Sequence, residues 1–426
     1  MLIAANQLAV NMDSGVATPG ISFAAATPQS AAETDARNLM AFADQFDRLA
    51  VKRLSLTDFR CYRQIRIETD RRPVVLTGVN GAGKTNILEA ISFLIPGRGL
   101  RRAKLADIAR RQTADESPDT MSADGWAAAA TLTVGDMNLE IGTGCEAGGG
   151  NKRVIKIDGS VKKSQAELGR YTSAQWLTPQ MDRLFLEGAS GRRRFVDQLI
   201  CGLDPEHAGP VAAYEHSMRS RNKLLREGKN DPAWLDSIED SMARHGIAIA
   251  ARRQAAVNRL RAVIHRGYGA FPGANIAMSG VLENWLESDP ALAVEDRLRQ
   301  SLSESRSQDI ESGASSFGPH KSDLAVYHSG TGMEAALCST GEQKAILIGI
   351  VLAAARLQTE DRGHAPLLLL DEIAAHLDET KRQSLFEIIA LLGAQAWMTG
   401  TDENFFVPLG SGAQRFIVAD GAVEAV

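Results

Sequence analysis

Val74-Val75-Leu76-Thr77-Gly78-Val79-Asn80-Gly81-Ala82-Gly83-Lys84-Thr85-Asn86-Ile87-Leu88-Glu89 decides the fold. An apolar run leads into a glycine-rich octapeptide of the form GxxxxGK[ST], and a helical pattern follows it. A phosphate-binding loop is thus placed where a strand becomes a helix. Glycines let backbone N–H groups close around phosphates, and the helix N-terminus adds positive potential. The spacing assigns an ATP site to Gly78, Val79, Asn80, Gly81, Ala82, Gly83, Lys84 and Thr85. Lys84 is expected to reach the β and γ phosphates, and Thr85 to hold Mg²⁺. A chance glycine-rich turn would lack the flanking strand and helix.

The rest of the chain is ample for a large core: 426 residues, 44% of them hydrophobic, suffice for two to three domains. No stretch approaches the ~20 apolar residues a membrane span needs. The first basic residue is Arg37, so the charged start of a secretory signal is missing and a cytoplasmic address is expected. Cys61, Cys145, Cys201 and Cys338 are scattered without a CxxC pair, which argues against a zinc site or a disulfide framework. A net charge of −5 excludes a uniformly basic protein, though not a local nucleic-acid surface.

Outward from the phosphate loop, residues 1–48 are rich in Ala, Ser and Thr without a sustained period, and are expected to be a mobile extension. Residues 49–178 read as the first part of an ATPase head: strand alternation from Val51, a turn near Asp58-Phe59-Arg60, the phosphate loop, and a β patch ending in a hairpin at Asp158-Gly159. Residues 179–310 turn helical, with basic clusters at Arg192-Arg193-Arg194, at Arg219, Arg221 and Lys223, and at Arg252-Arg253. No heptad pattern is sustained, so this insert is expected to be compact rather than a coiled coil. Ser301 to Gly318 reads as a return linker. Residues 311–426 then resume β/α alternation, from a strand over Leu324 to Tyr327 to a final hairpin at Asp420-Gly421.

Within that last part, Leu367-Leu368-Leu369-Leu370-Asp371-Glu372 has the Walker B form, four buried-strand residues ending in two acids. Asp371 is expected at Mg²⁺ through water. Glu372, with Lys84 at the phosphates, is the expected catalytic residue: its carboxylate accepts a proton from the attacking water. Alone, such an acid pair could equally be a solvated helix start.

Upstream, Cys338-Ser339-Thr340-Gly341-Glu342-Gln343-Lys344 resembles the LSGGQ-type signature of ABC ATPases. There a Ser and a helix N-terminus meet the γ-phosphate held by another subunit. By itself the segment also reads as a capped helix start. Ala374-Ala375-His376-Leu377-Asp378 matches the D-loop of that superfamily, placing His376 and Asp378 at a dimer interface, and Gln180 stands at a Q-loop position. The usual switch His is replaced by Thr399-Gly400-Thr401, either a γ-phosphate sensor or a polar strand end. The fold class expected is therefore α/β: an ABC-type P-loop ATPase head with a β-rich N-terminal lobe, split in sequence by a compact, mainly helical lobe.

Three further elements are more specific than these shared motifs. Leu56-Thr57-Asp58-Phe59-Arg60-Cys61-Tyr62, Gly191-Arg192-Arg193-Arg194-Phe195-Val196-Asp197 and Phe317-Gly318-Pro319-His320-Lys321-Ser322-Asp323-Leu324 together resemble the RecF family of bacterial SMC-like DNA-repair ATPases, from about Val51 to the C-terminus. The resemblance implies an ATP-dependent homodimer that binds duplex DNA at gaps or single-strand/double-strand junctions. It also implies work with RecR and RecO to load RecA, and slow ATP hydrolysis. It favours Arg192, Arg193 and Arg194 as DNA-phosphate contacts, where a solvated helix face would otherwise be the commoner reading. Where many members carry two Asp at the strand end this chain has Asp371-Glu372, which bears on hydrolysis rate, and residues 1–48 have no family counterpart. About 250 residues separate Thr85 from Ser339, too few for long SMC arms but enough for a compact lobe. Two other readings remain at this level: an ATPase subunit energising a membrane transporter, and a non-catalytic ATP-binding scaffold.

Overall fold

A computed structural model describes residues 47–110, 125–146, 152–228 and 231–426. The expectation for residues 1–48 falls almost wholly outside them; only Asp47 and Arg48 are described, as the start of the first strand, Asp47–Phe59.

Two sheets position the site. The first is a six-stranded sheet in the order Ala422–Ala425, Gln414–Ala419, Val74–Thr77, Ala396–Gly400, Leu367–Leu370, Ala174–Leu177. All its neighbours are parallel except the terminal hairpin, which turns at Asp420-Gly421 as expected. The three central strands are buried along their whole length, as parallel strands covered on both faces must be. Their side chains alternate between two cores. Leu368, Leu370 and Met398 enter one with the helices Ala189–Leu203, Thr340–Arg362 and Glu379–Leu392; Leu367, Leu369 and Trp397 enter the other with the phosphate-loop helix Lys84–Ser92 and the β-rich lobe.

That lobe is a mostly antiparallel sheet built on Asp47–Phe59, which pairs with Tyr62–Glu68 on one side and Trp126–Val134 on the other. Met137–Cys145, Arg153–Ile157 and the short Ser160–Val161 follow, the last two joined by the expected turn at Asp158-Gly159. Burial alternates along Trp126–Val134, the pattern of a sheet with one wet face. A register shift between Val51 and Arg53 bulges the first strand, and buried Gln395 fills the gap. It accepts from Val51 N at 2.8 Å and donates to Val51 O at 3.1 Å. The two sheets are therefore hydrogen-bonded together at the bulge.

The insert folds as helices Ala208–Arg226, Pro232–Ile264, Val281–Ser288, Ala291–Glu304 and Arg306–Ser312 around Tyr214, Met242, Ile249, Leu282, Val294, Leu298 and Leu302. The 33-residue helix Pro232–Ile264 starts on an Asp231 cap with proline at its first position. Its first half packs in the lobe through Met242 and Ala250, its second in the head core through Val257, Leu260 and Ile264. One rigid element of about 50 Å thus joins the two cores.

Two sequence expectations are corrected here. Ser301 to Gly318 is not a linker: it holds the end of one helix, the whole of Arg306–Ser312, and buried Ser305, Asp309 and Ser315. The reason is Arg221, fully buried, which donates to Glu239 at 2.8 Å, Asp309 at 2.6 Å, Ser315 at 3.0 Å and the Leu302 carbonyl at 2.6 Å. Second, the strand Asp323–His328 does not continue the head's sheet but pairs antiparallel with Ala274–Ser279, a strand not foreseen in the sequence, as a separate ribbon. Ile276, Leu324 and Val326 then enter the head core together. Arg221→Ala is expected to cost about 3 to 5 kcal/mol, because it leaves buried Asp309 with only serine hydroxyls and Glu239 with Arg306 alone, and denaturant unfolding of the lobe measures this.

Candidate functional site

The loop Gly78 to Gly83 joins the strand Val74–Thr77 to the helix Lys84–Ser92, as the sequence requires. Two of its glycines cannot be replaced. Gly78 has φ +151, and a Cβ there would lie 2.2 Å from the Val418 carbonyl. Gly83 has φ +110, and its Cβ would meet the Tyr62 hydroxyl at 2.5 Å and Cys61 Sγ at 2.7 Å. The Phe59-Arg60-Cys61-Tyr62 element therefore backs the phosphate loop directly. Arg60 strengthens the contact by a two-pronged bond to fully buried Glu89 of the loop helix, at 2.8 and 2.7 Å. Phe59 stacks edge-on to Phe93 of the same region at 6.2 Å.

Lys84 is buried and its ammonium donates to the Gly78 and Val79 carbonyls at 2.7 and 2.9 Å. Burial lowers its pKa, opposed by the nearby Glu372 and Asp371 carboxylates. Thr85 Oγ1 lies 2.9 and 3.1 Å from the two Asp371 oxygens, so the loop hydroxyl and the Walker B acid, distant in sequence, meet in space. These adjacent hard oxygen donors suit Mg²⁺, which takes few protein ligands when phosphates supply the rest.

Asp371 follows the strand Leu367–Leu370, and its N–H donates to the Leu177 carbonyl at 2.9 Å. Thr399 Oγ1 donates to Asp371 Oδ1 at 2.7 Å and accepts from the Glu372 N–H at 2.9 Å. Fully buried, Thr399 fixes the Asp371 carboxylate and the Glu372 backbone and is not exposed to sense a phosphate; Thr401 is exposed at the strand end. Glu372 takes φ +52, a conformation L-residues rarely adopt. A strained backbone of this kind, costing on the order of 1–3 kcal/mol, persists where surrounding bonds fix it, here the Thr399 hydroxyl.

Gln180 lies in the turn Pro179–Arg183, just beyond the strand whose Leu177 registers with Leu370, and is exposed at the same sheet end as Asp371. Asp182 of that turn pairs with Lys344 at 3.1 Å, tying it to the signature helix, a link the sequence did not announce. Ser339 caps that helix in a reciprocal box: Glu342 N donates to Ser339 Oγ at 3.3 Å, and Ser339 N to the Glu342 carboxylate at 2.9 Å. Ser339, Thr340, Gly341 and Glu342 are exposed, whereas Gln343 is buried and donates to the Cys338 carbonyl at 2.8 Å. The capped-helix reading thus holds locally, and it leaves the helix N-terminus open to a partner. Asp378 caps Glu379–Leu392 by accepting from Lys381 N at 2.8 Å, and His376 ends the short turn Ala374–His376, its side chain outside the described residues.

The basic run is corrected in part. Arg192 grips Asp323 through two bonds of 2.7 Å, and Arg193 donates to the Ser322 carbonyl at 2.7 Å. Both clamp the two specific elements together rather than offering a DNA face, as does Arg253, which joins Asp197 at 2.8 and 2.7 Å to the Pro319 carbonyl. Only Arg194 of the three points to solvent. No helix among the described residues is long and apolar enough to cross a membrane.

Known proteins resemble this chain along most of its length. The family described as RecF/RecN/SMC N terminal domain matches residues 50–409. The DNA replication and repair protein RecF of Rhizobium etli (strain CIAT 652) is 48% identical over 379 residues, covering 88% of this chain and 99% of its own. That of Brucella suis biovar 1 (strain 1330) is 46% identical over 385 residues, covering 89% and 97%. The solved structure of the recombination mediator protein RecF-ATPrS in the RecFOR pathway has TM-score 0.75 at 22% identity, covering 90% of this chain and 99% of that one, and bears on the fold alone. The transporter reading finds no support among these relatives. The family match spans residues 50–409 and these relatives are nearly half identical over almost their whole length, and the chain therefore belongs to the RecF family of DNA replication and repair proteins.

Proposed function

We propose that this chain is an ATP-gated DNA clamp of recombinational repair and replication: two copies close on ATP, hold duplex DNA at gaps or single-strand/double-strand junctions, and reopen after slow hydrolysis. The observation that carries the reading is the hydrogen-bonded string Thr85–Asp371–Thr399–Glu372 beside Lys84, in a chain whose signature-helix N-terminus is exposed. Lys84 and the loop amides hold the phosphates. Thr85 and Asp371 would hold Mg²⁺, which neutralises phosphate charge. Glu372 receives the proton of the attacking water. Ser339 and the positive end of its helix complete the phosphate shell of a second copy, so the nucleotide becomes part of the interface. His376 and Asp378 belong at that interface, and Gln180 relays the nucleotide state to the insert. The head is then built mainly from residues 49–178 and 319–426, with Ala189–Leu203, Ala274–Ser279 and the second half of Pro232–Ile264 packed into its core, and the lobe from the helices between Ala208 and Ser312. By family membership the partners would be RecR and RecO, and the product a loaded RecA filament.

The test is the mass in solution of the Glu372→Gln protein with ATP and Mg²⁺, with and without gapped duplex. Turnover is expected to fall about 10²- to 10³-fold. The blocked protein should accumulate as a dimer that stays on the gapped DNA. A monomer that binds ATP and ignores DNA would overturn the clamp.

A further inference from the structure

The exposed face of the helix Ala208–Arg226 carries a stripe that the site does not use. Its outward residues are Ala212, His216, Arg219, Lys223 and Arg226, spaced alternately by four and three, so they share one side. The opposite side, with Tyr214, Arg221, Leu224 and Leu225, is buried in the lobe. Among the described residues Arg219 pairs with Glu215 and Lys223 with Glu227, each at a loose 3.8 Å and largely exposed, contacts too weak to neutralise them. Beside them lies a groove of about 430 Å³ lined by Arg219, Asn222, Lys223, Arg226 and Glu227.

A second basic group lies near the same helix. Arg102 is within electrostatic reach of Arg98 and Arg194, and also of the carboxylates of Glu215, on that helix, and of Asp197. Arg98 and Arg102 sit in the loop after the phosphate-loop helix, and both are exposed, as is Arg194. Partial burial, then repulsion from Arg98 and Arg194, lowers the pKa of Arg102. In a chain of net charge −5, three converging arginines followed by three outward basic residues mark a local track that favours anions.

We infer that Arg98, Arg102 and Arg194, continued by Arg219, Lys223 and Arg226, form a sequence-independent track for the phosphate backbone of duplex DNA. This assignment rests on the DNA-binding reading above and locates its contact surface. From His216 to Arg226 the helix rises about 15 Å, enough to follow several phosphates of one strand.

The experiment is binding of a fluorescent gapped duplex to the full chain with ATP and Mg²⁺ across a salt series. Arg219→Gln/Lys223→Gln/Arg226→Gln is expected to weaken binding about tenfold or more at low salt and to flatten the plot of log K against log salt by about 2 to 3 units of slope. Arg98→Gln/Arg102→Gln should flatten it by about 1 to 2. The charge-matched control Lys152→Gln/Lys156→Gln/Lys163→Gln, on the β-rich lobe, should leave the slope unchanged, and thermal unfolding checks that all variants fold. An unchanged slope in both track variants, or an equal loss in the control, overturns the track while leaving the clamp intact. Failure of the unaltered protein to bind the duplex at all overturns both.

Discussion

Lys84→Ala is expected to lower ATP affinity at least about a hundredfold and to abolish both turnover and ATP-driven dimerisation. The ammonium is buried, held by two loop carbonyls, and its positive charge is sustained by Asp371 and Glu372 against the cost of burial. Phosphate oxygens would replace those carbonyls with stronger, charge-assisted bonds. Losing hydrogen bonds to a charged group costs about 1.5–3 kcal/mol each, and about 3 kcal/mol already corresponds to a hundredfold in affinity. The loop itself should persist, because its shape is set by Gly78 against Val418 and Gly83 against Tyr62 rather than by the lysine. Calorimetric titration with ATP gives the affinity directly. A variant that binds ATP within about threefold of the unaltered protein would refute the assignment of Lys84 to the phosphates.

Ser339→Arg separates binding from assembly. The variant chain is expected to bind ATP normally yet remain monomeric with ATP and Mg²⁺, losing turnover that depends on the closed pair. An arginine there brings bulk and positive charge to an exposed helix N-terminus, where the helix dipole already disfavours cations, and it blocks approach of a second copy's nucleotide. It also removes the cap bond from Glu342 N, a loss of about 1 kcal/mol. Ser339→Ala provides the control, since it removes the same cap without adding bulk or charge. Light scattering should find the alanine variant still dimerising and the arginine variant not. Equal behaviour of the two would mean that the residue serves only its own helix, and loss of ATP binding in the arginine variant would mean that the signature acts within one chain.

Much of this arrangement was legible before any fold was known, because its chemistry is written locally. A phosphate loop needs its glycines, Lys84 and Thr85 within eight residues, between a strand and a helix, and that is how Gly78 to Thr85 lie. The acidic strand end, the capped signature turn and the two Asp-Gly hairpins are likewise defined by neighbours in the chain. The clamp between the two specific elements was quoted in the sequence but its nature was not: Arg192 and Asp323 are 131 residues apart and bonded.

What local pattern could not decide was the direction in which each charged or polar side chain points. Arg219, Arg221 and Lys223 look alike in sequence, yet Arg221 is fully buried among Glu239, Asp309 and Ser315 while its neighbours face water. Arg192 is engaged by Asp323 and Arg194 is exposed, and Ser301 to Gly318, polar enough to pass for a linker, is ordered by the buried arginine it serves. Thr399 stood where a phosphate sensor was sought and is instead the hydroxyl that holds the Asp371 carboxylate and the Glu372 backbone N–H. Sequence alone determined where the phosphate loop and the acidic strand end lie, because spacing within one turn or strand fixes them. Only the tertiary structure decided which arginines brace the molecule and which remain free for a polyanion, because a buried charge needs partners that distant segments supply.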